Sequence, residues 1–172
     1  MSVKRILLLG VFFMRAAVAG DDPELTRLYE EKNYKQLLER FKKITEGRAT
    51  NAGYSLSEIA SAKYNIGVMY QQGLGTPKDL EKALQWYEKA AVGGDARAQY
   101  NLGLMHYTGE GTQQDFSTAA HWLAKSADQG FADAESQLGD MYDAGEGVKQ
   151  DHIFASALRQ RANAHRQELG AQ

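Results

Sequence analysis

Residues 105–115 read MHYTGEGTQQD, a stretch that begins like a helix and then places two glycines around one glutamate. Taken alone, Gly109 and Gly111 suit either a phosphate-binding loop or a turn. The spacing along the rest of the chain decides between them. Gly67, Gly103 and Gly139 lie 36 residues apart, and so do Gly73, Gly109 and Gly145, then Gly75, Gly111 and Gly147. Asp79, Asp115 and Asp151 keep that interval, as do Ala83, Ala119 and Ala155. The units are AKYNIGVMYQQGLGTPKDLEKALQWYEKAA, AQYNLGLMHYTGEGTQQDFSTAAHWLAKSA and AESQLGDMYDAGEGVKQDHIFASALRQRAN. A fixed period at this many positions marks stacked supersecondary units, each burying its apolar face against the next.

Every unit reads as a helical hairpin. In the second, Ala98, Leu102 and His106 share one face of a first helix, with Gly103 beside that face. A glycine inside a helix costs about 1 kcal/mol against alanine, so its recurrence predicts close approach of a neighbouring helix. Gly109 suits the left-handed residue after a helix end, and Asp115 suits the cap of the next helix. Phe116, Ala119, Ala120, Leu123 and Ala127 then form an apolar stripe, closed by Gly130.

Residues 20–58 read as a degenerate hairpin and connector. Asp22-Pro23 is a helix start; Leu25, Leu28 and Tyr29 line one helix, and Tyr34, Leu37, Leu38, Phe41 and Ile44 the next. The turn at Lys32-Asn33 lacks the two glycines. GRATNAGYSLSE is a polar connector in which Ser55 and Glu58 fit a capping box. The repeats are expected over 59–95, 96–131 and 132–172, the last including a C-terminal capping helix. The predicted fold is all-α, a right-handed α-solenoid of about eight helices in antiparallel hairpins.

Residues 1–19 stand apart. MSVKR is a short basic start, ILLLGVFFM is apolar, and Ala17-Val18-Ala19 precedes Gly20, the pattern of a cleaved signal peptide. Arg15 interrupts the pattern, and an amphipathic N-terminal helix is the other reading. The apolar run is shorter than the about 20 residues a membrane span needs, so no stable span is expected after cleavage. Cleavage after Ala19 removes Lys4, Arg5 and Arg15 and no acid, leaving seventeen bases against the 22 acids of the whole chain, a net charge of −5. With no basic stripe, nucleic acid is an unsuitable partner. The chain has no cysteine, which excludes disulfides, thiol catalysis and cysteine-ligated zinc.

The combination of LGxMY, GxGxxxD and WYxKAA in a 36-residue unit resembles the Sel-one-like repeat, a longer-looped relative of the tetratricopeptide repeat. The resemblance covers residues 60 to about 163 and decays in the third unit, where Leu158 answers Trp86 and Trp122. It implies that first helices line a concave, protein-binding side. Carried onto this chain, that side comprises Ser61, Tyr64, Val68, Gln71 and Gln72 in the first unit. The second contributes Arg97, Tyr100, Leu104, Tyr107 and Thr108, and the third Asp133, Ser136, Asp140, Asp143 and Ala144. Glu110 and Glu146 would stand on the rim. Tyr64 and Tyr100 equally suit packing between neighbouring hairpins. The slots of Asp140 and Asp143 tolerate charge and so read as solvent-facing.

Chemistry is sparse. A dinucleotide loop needs a preceding strand and a third glycine, and a P-loop needs Gly-Lys-Ser/Thr; here a helix precedes and polar residues follow. Glu110 and Glu146 fall in separate loops and form no acid–base couple. His106 fills a slot held by Tyr70 and Tyr142 and reads as packing, and no metal-ligand spacing or nucleophile elbow is present. No catalytic residue, metal or cofactor is expected. The family resemblance implies an adaptor role, and small leader-bearing bacterial members resemble immunity proteins that neutralise secreted toxic effectors such as type VI phospholipases. The expected function is a non-catalytic periplasmic protein-binding protein of that kind. The alternatives are a general envelope adaptor and a β-lactamase-like hydrolase.

Overall fold

The computed structural model describes residues 22–46 and 54–170. The expected signal peptide at 1–19 and the connector residues 47–53 lie outside the described residues. Among those described, eight helices and no strand occur: α1 (Pro23–Glu30), α2 (Tyr34–Thr45), α3 (Leu56–Gln72), α4 (Leu80–Val92), α5 (Ala96–Thr108), α6 (Phe116–Asp128), α7 (Ala132–Ala144) and α8 (His152–Gly170). The chain divides between Gly93 and Gly94 into two compact units, α1–α4 and α5–α8.

The first unit is opened by its caps. Asp22 Oδ1 accepts from the N–H groups of Glu24 (3.0 Å) and Leu25 (3.3 Å), and Pro23 takes the first helical position, where a missing N–H costs nothing. Lys32, at φ 54°, turns the chain left-handed before Asn33 caps α2. Ser55 and Glu58 make the expected reciprocal box: Glu58 N–H donates to Ser55 Oγ at 3.2 Å, and Ser55 N–H donates to the Glu58 carboxylate at 2.7 Å. The apolar stripes then close on each other, with Leu28, Leu37, Phe41, Ile66 and Met69 among the buried core residues. Asp22 does more than cap. Its Oδ2 accepts from Tyr54 Oη (2.7 Å) and Arg40 Nη2 (3.0 Å), tying the start of α1 to α2 and to the entry of α3.

The repeat loop proves to be a clasp. Gly73, Gly109 and Gly145 end the first helices at φ 73°, 75° and 72°, as expected for left-handed caps. Six residues on, the backbone N–H of each aspartate donates back across the loop: Asp79 to the Tyr70 carbonyl (2.9 Å), Asp115 to that of His106 (2.8 Å) and Asp151 to that of Tyr142 (2.9 Å). The side chains of the same aspartates cap α4, α6 and α8, accepting from Lys82, Thr118 and Phe154 N–H at 2.9, 3.0 and 2.9 Å. One residue therefore closes the first helix and opens the second.

The helical glycines mark close crossings. A Cβ on Gly67 would lie 2.7 Å from the Tyr87 ring, and one on Gly103 would lie 2.7 Å from Leu123 Cγ. Gly139 is looser, its nearest neighbour being the Ala155 carbonyl at 3.1 Å. In the loops of Gly75 and Gly147 the second glycine has a role beyond bending. A Cβ on Gly75 would fall 2.4 Å from the Tyr34 carbonyl carbon, and one on Gly147 would fall 2.2 Å from the Phe116 carbonyl oxygen. These loops thus seat directly on the first turn of the preceding repeat's second helix, backbone against backbone.

Gly94 supplies the control for that contact. It also has positive φ (91°), yet a Cβ there meets nothing within 4 Å. Gly94→Ala is expected to cost about 1 kcal/mol, from backbone strain alone. Gly147→Ala carries the same strain plus a backbone clash, for a loss of about 3 kcal/mol. Urea unfolding followed by circular dichroism measures both. Acid stability tests the Asp22 tie. Burial pushes this carboxyl up, but the hydrogen bonds from Tyr54 and Arg40 outweigh it and hold it below the ordinary aspartate value. A depressed folded value means its contribution is complete above the unfolded value of about 3.9 and is lost as pH falls through the folded one. Asp22→Asn should therefore lower the urea midpoint clearly at pH 7, and by less on acidification to about pH 3.

Candidate protein-binding site

The residues expected on a binding side divide by environment. In the first unit, Tyr64 and Val68 are 2% and 0% exposed. Tyr64 stacks at a tilt on Tyr87, with ring centroids 5.8 Å apart, and both residues are corrected from binding positions to core. The cause is packing: at this point α3 is buried nearly all round, with Asn65, Ile66 and Gly67 equally enclosed. Gln71 is half-buried and its Oε1 accepts from the Tyr87 hydroxyl at 2.8 Å.

The second unit keeps a coherent face. Tyr100, Leu104 and Tyr107 follow one another at helical spacing along α5, and all three are half-buried. Tyr100 packs on Phe131, just before α7, with ring centroids 5.1 Å apart. Tyr107 donates its hydroxyl to Glu146 Oε2 at 2.8 Å, just after α7, and its ring leans on Phe116. Two tyrosines of α5 thus fasten both ends of α7. Burial first, and the nearby Asp133 second, push the Tyr100 hydroxyl up to about 12, so it remains a neutral phenol. Arg97 folds back on Asp95, with Nε 3.1 Å from Oδ1. Glu110 stands exposed in the loop.

The acids of α7 are paired within the chain. Arg166 Nη2 donates to Asp133 Oδ1 (2.9 Å) and Ser136 Oγ (3.0 Å), and Arg159 Nη2 donates to Asp140 Oδ1 (2.9 Å) and also to Asp143. His152 Nδ1 lies 2.9 Å from Asp143 Oδ1, and together His152 and Arg159 hold the Asp143 carboxyl below its ordinary value. Glu135, which the sequence reading did not single out, is wholly buried. It accepts from Arg161 Nε at 2.5 Å and lies 3.0 Å from His165 Nδ1. Helix α8 thus presents a basic edge to the acidic edge of α7. The signal was in the sequence, as Arg159, Arg161, His165 and Arg166 against Asp133, Glu135, Asp140 and Asp143 on neighbouring helices. Aligning repeat with repeat hides it, because Arg159 falls where the second repeat has Leu123.

Among the described residues no group of three or more acids or histidines is arranged to hold a metal ion, and no helix is long and apolar enough to cross a membrane. The model of the Sel1 repeat matches the chain three times in succession, at residues 60–95, 96–131 and 132–158. The chain belongs to the Sel1 repeat family. Sel1 repeats build an all-α, protein-interaction fold. The crystal structure of a Sel1 repeat protein from Oxalobacter formigenes is similar, with 33% identity and a TM-score of 0.72 over 83% of this chain. A protective antigen of uropathogenic Escherichia coli strains displaying an SLR fold is 29% identical, with a TM-score of 0.62 over 82% of the chain. The chain spans 54% of the first of these proteins and 32% of the second. No curated protein matches it significantly.

The buried Glu135 site sets a stability expectation for this Sel1 repeat protein. Glu135→Ala leaves Arg161 and His165 facing an emptied interior, at a cost of about 2 kcal/mol or more. Glu135→Gln keeps an acceptor for Arg161 and should lose less. Comparison of the two urea midpoints checks the order.

Proposed function

We propose that the chain is an exported, non-catalytic Sel1 repeat protein that binds and neutralises a toxic effector delivered into the periplasm, as an immunity protein does. The observation that carries the reading is the half-buried Tyr100–Leu104–Tyr107 stripe of α5. Partly exposed aromatics bordered by charge have the make-up of a protein-binding hot spot. Here the stripe is bordered by exposed Glu110 and Asp140, and both tyrosines are already held in place by Phe131 and Glu146. Little side-chain freedom is then left to lose on association. Tyr100 offers a neutral hydroxyl and ring surface, not a base.

Export is supported by the basic start, apolar run and Ala-x-Ala of residues 1–19. The effector class proposed, for example a type VI phospholipase, rests on the resemblance to small leader-bearing members of the family.

The reading is tested by directing a candidate effector to the periplasm with and without this chain. Growth should be restored by the chain, and a purified mature form should bind the effector tightly by calorimetry. Tyr107→Ala and Asp140→Lys should each weaken that binding by about thirtyfold while helicity is kept, the loss usual for a hot-spot residue of about 2 kcal/mol. Absence of rescue from any effector encoded beside the chain would point to a general envelope adaptor instead. Unchanged affinity in both variants would remove the α5 face from the interface.

A further inference from the structure

Half-buried aromatic rings in this chain draw cations onto their faces. Lys89 lies over Trp86 with Nζ 4.4 Å from the ring centroid, Lys125 over Trp122 at 4.7 Å, and Lys82 over Tyr70 at 5.7 Å. The attraction comes from the negative face of the ring quadrupole. Tyr107 of α5 is different. Its ring leans on Phe116 and carries no cation among the described residues, although carboxylates stand beside it.

The acceptors around this ring are only partly used. The Tyr107 hydroxyl donates to Glu146 Oε2 at 2.8 Å, so toward a partner the phenol oxygen can only accept. Glu146 Oε1 takes no hydrogen bond among the described residues. Both contacts from Arg159 to Asp140, at 2.9 and 3.3 Å, fall on Oδ1, and Oδ2 takes none among the described residues. The Asp140 side chain is 62% exposed, and it lies near enough to act on the phenol. The hydrogen bond to Glu146 first, then burial, then the charges of Glu146 and Asp140 push the Tyr107 hydroxyl above its ordinary value.

The distribution of charge along the chain points the same way. Residues 20–93 carry eleven acids and eleven bases, whereas residues 94–172 carry eleven acids and six bases. The whole negative excess therefore lies in the unit that holds α5, where it draws basic surfaces in and turns acidic ones away. We infer that the α5 face receives an arginine of a basic partner surface, its guanidinium laid on the Tyr107 ring and donating to Glu146 and Asp140. A guanidinium suits the place better than an ammonium, because its planar fork stacks on a ring and serves two carboxylates at once. The inference rests on the α5 face being the binding side, and it adds that the effector meets this face with a cationic surface.

The test needs no effector. N-acetyl-argininamide is titrated into the isotope-labelled full chain and followed by nuclear magnetic resonance. The amide resonances of Tyr107, Asp140 and Glu146 should shift progressively; N-acetyl-lysinamide should shift them less, and N-acetyl-glutaminamide should leave them in place. Glu146→Gln keeps an acceptor for the Tyr107 hydroxyl but removes the charge. It should weaken the arginine response about tenfold, the loss of one charge-assisted hydrogen bond. Asp128→Asn removes the same charge from an exposed position at the end of α6 and should leave the response unchanged. No response to the arginine probe, a lysine response equal to it, shifts confined to other residues, or equal weakening by both variants would each overturn the assignment. Failure of growth rescue with the arginine response intact would remove the toxin and keep the basic partner. Rescue without any arginine response would keep the toxin and remove the arginine site.

Discussion

Each repeat hangs on one backbone hydrogen bond, from the N–H of the loop aspartate to a carbonyl in the last turn of the preceding helix. It recurs at Asp79, Asp115 and Asp151 with nearly constant length. A backbone donor so near a helix end would otherwise go to water, and a backbone carbonyl at a helix end would go unpaired. By satisfying one with the other, the loop fixes its own span. The carboxylate of the same aspartate then sets the start of the next helix. The glycines are subordinate to this bond: the first ends the helix, and at Gly75 and Gly147 the second lets the closed loop lie flat on the preceding hairpin of the same unit.

The consequence of flatness is that repeats touch through backbone as well as through side chains. Gly75 and Gly147 leave no space for a Cβ, so the loop registers the repeats with a precision that alanine-rich helix faces alone do not supply. Apolar packing between helices tolerates small slips, because one methyl replaces another at little cost. A carbonyl group pressed against a glycine does not. The helical glycines act in the second direction, bringing the two helices of one hairpin together at Gly67 and Gly103 and less tightly at Gly139.

Periodicity made the hairpins, their caps and their crossings readable, because each of these features recurs with the repeat. The buried position of Val68 was not readable in that way: periodicity places it on a first-helix face but does not say how completely neighbouring elements enclose that face. The face of the second unit was legible in its tyrosines and only half legible in its acids. Asp133, Asp140 and Asp143 were visible, but their arginine partners lie on α8, where the repeat pattern is weakest. Glu135 escaped for a related reason, since a fully enclosed carboxylate cannot be told from an exposed one without its partners. The Asp22–Arg40–Tyr54 cluster likewise joins residues from three different segments that share no period.

The reach of these contacts along the chain has its own meaning. The clasp joins residues nine apart, the Glu135 cluster spans 26 and 30 positions, and even the bond from Tyr107 to Glu146 spans only 39. A hairpin therefore has its stabilising neighbours almost as soon as it has been made, without waiting for distant parts of the sequence. Such a chain can assemble progressively from one end to the other while the remainder is still extended. The 36-residue unit is thus a unit of assembly as well as of architecture, and it can be duplicated or deleted whole without leaving its own aspartate-to-carbonyl clasp unmade.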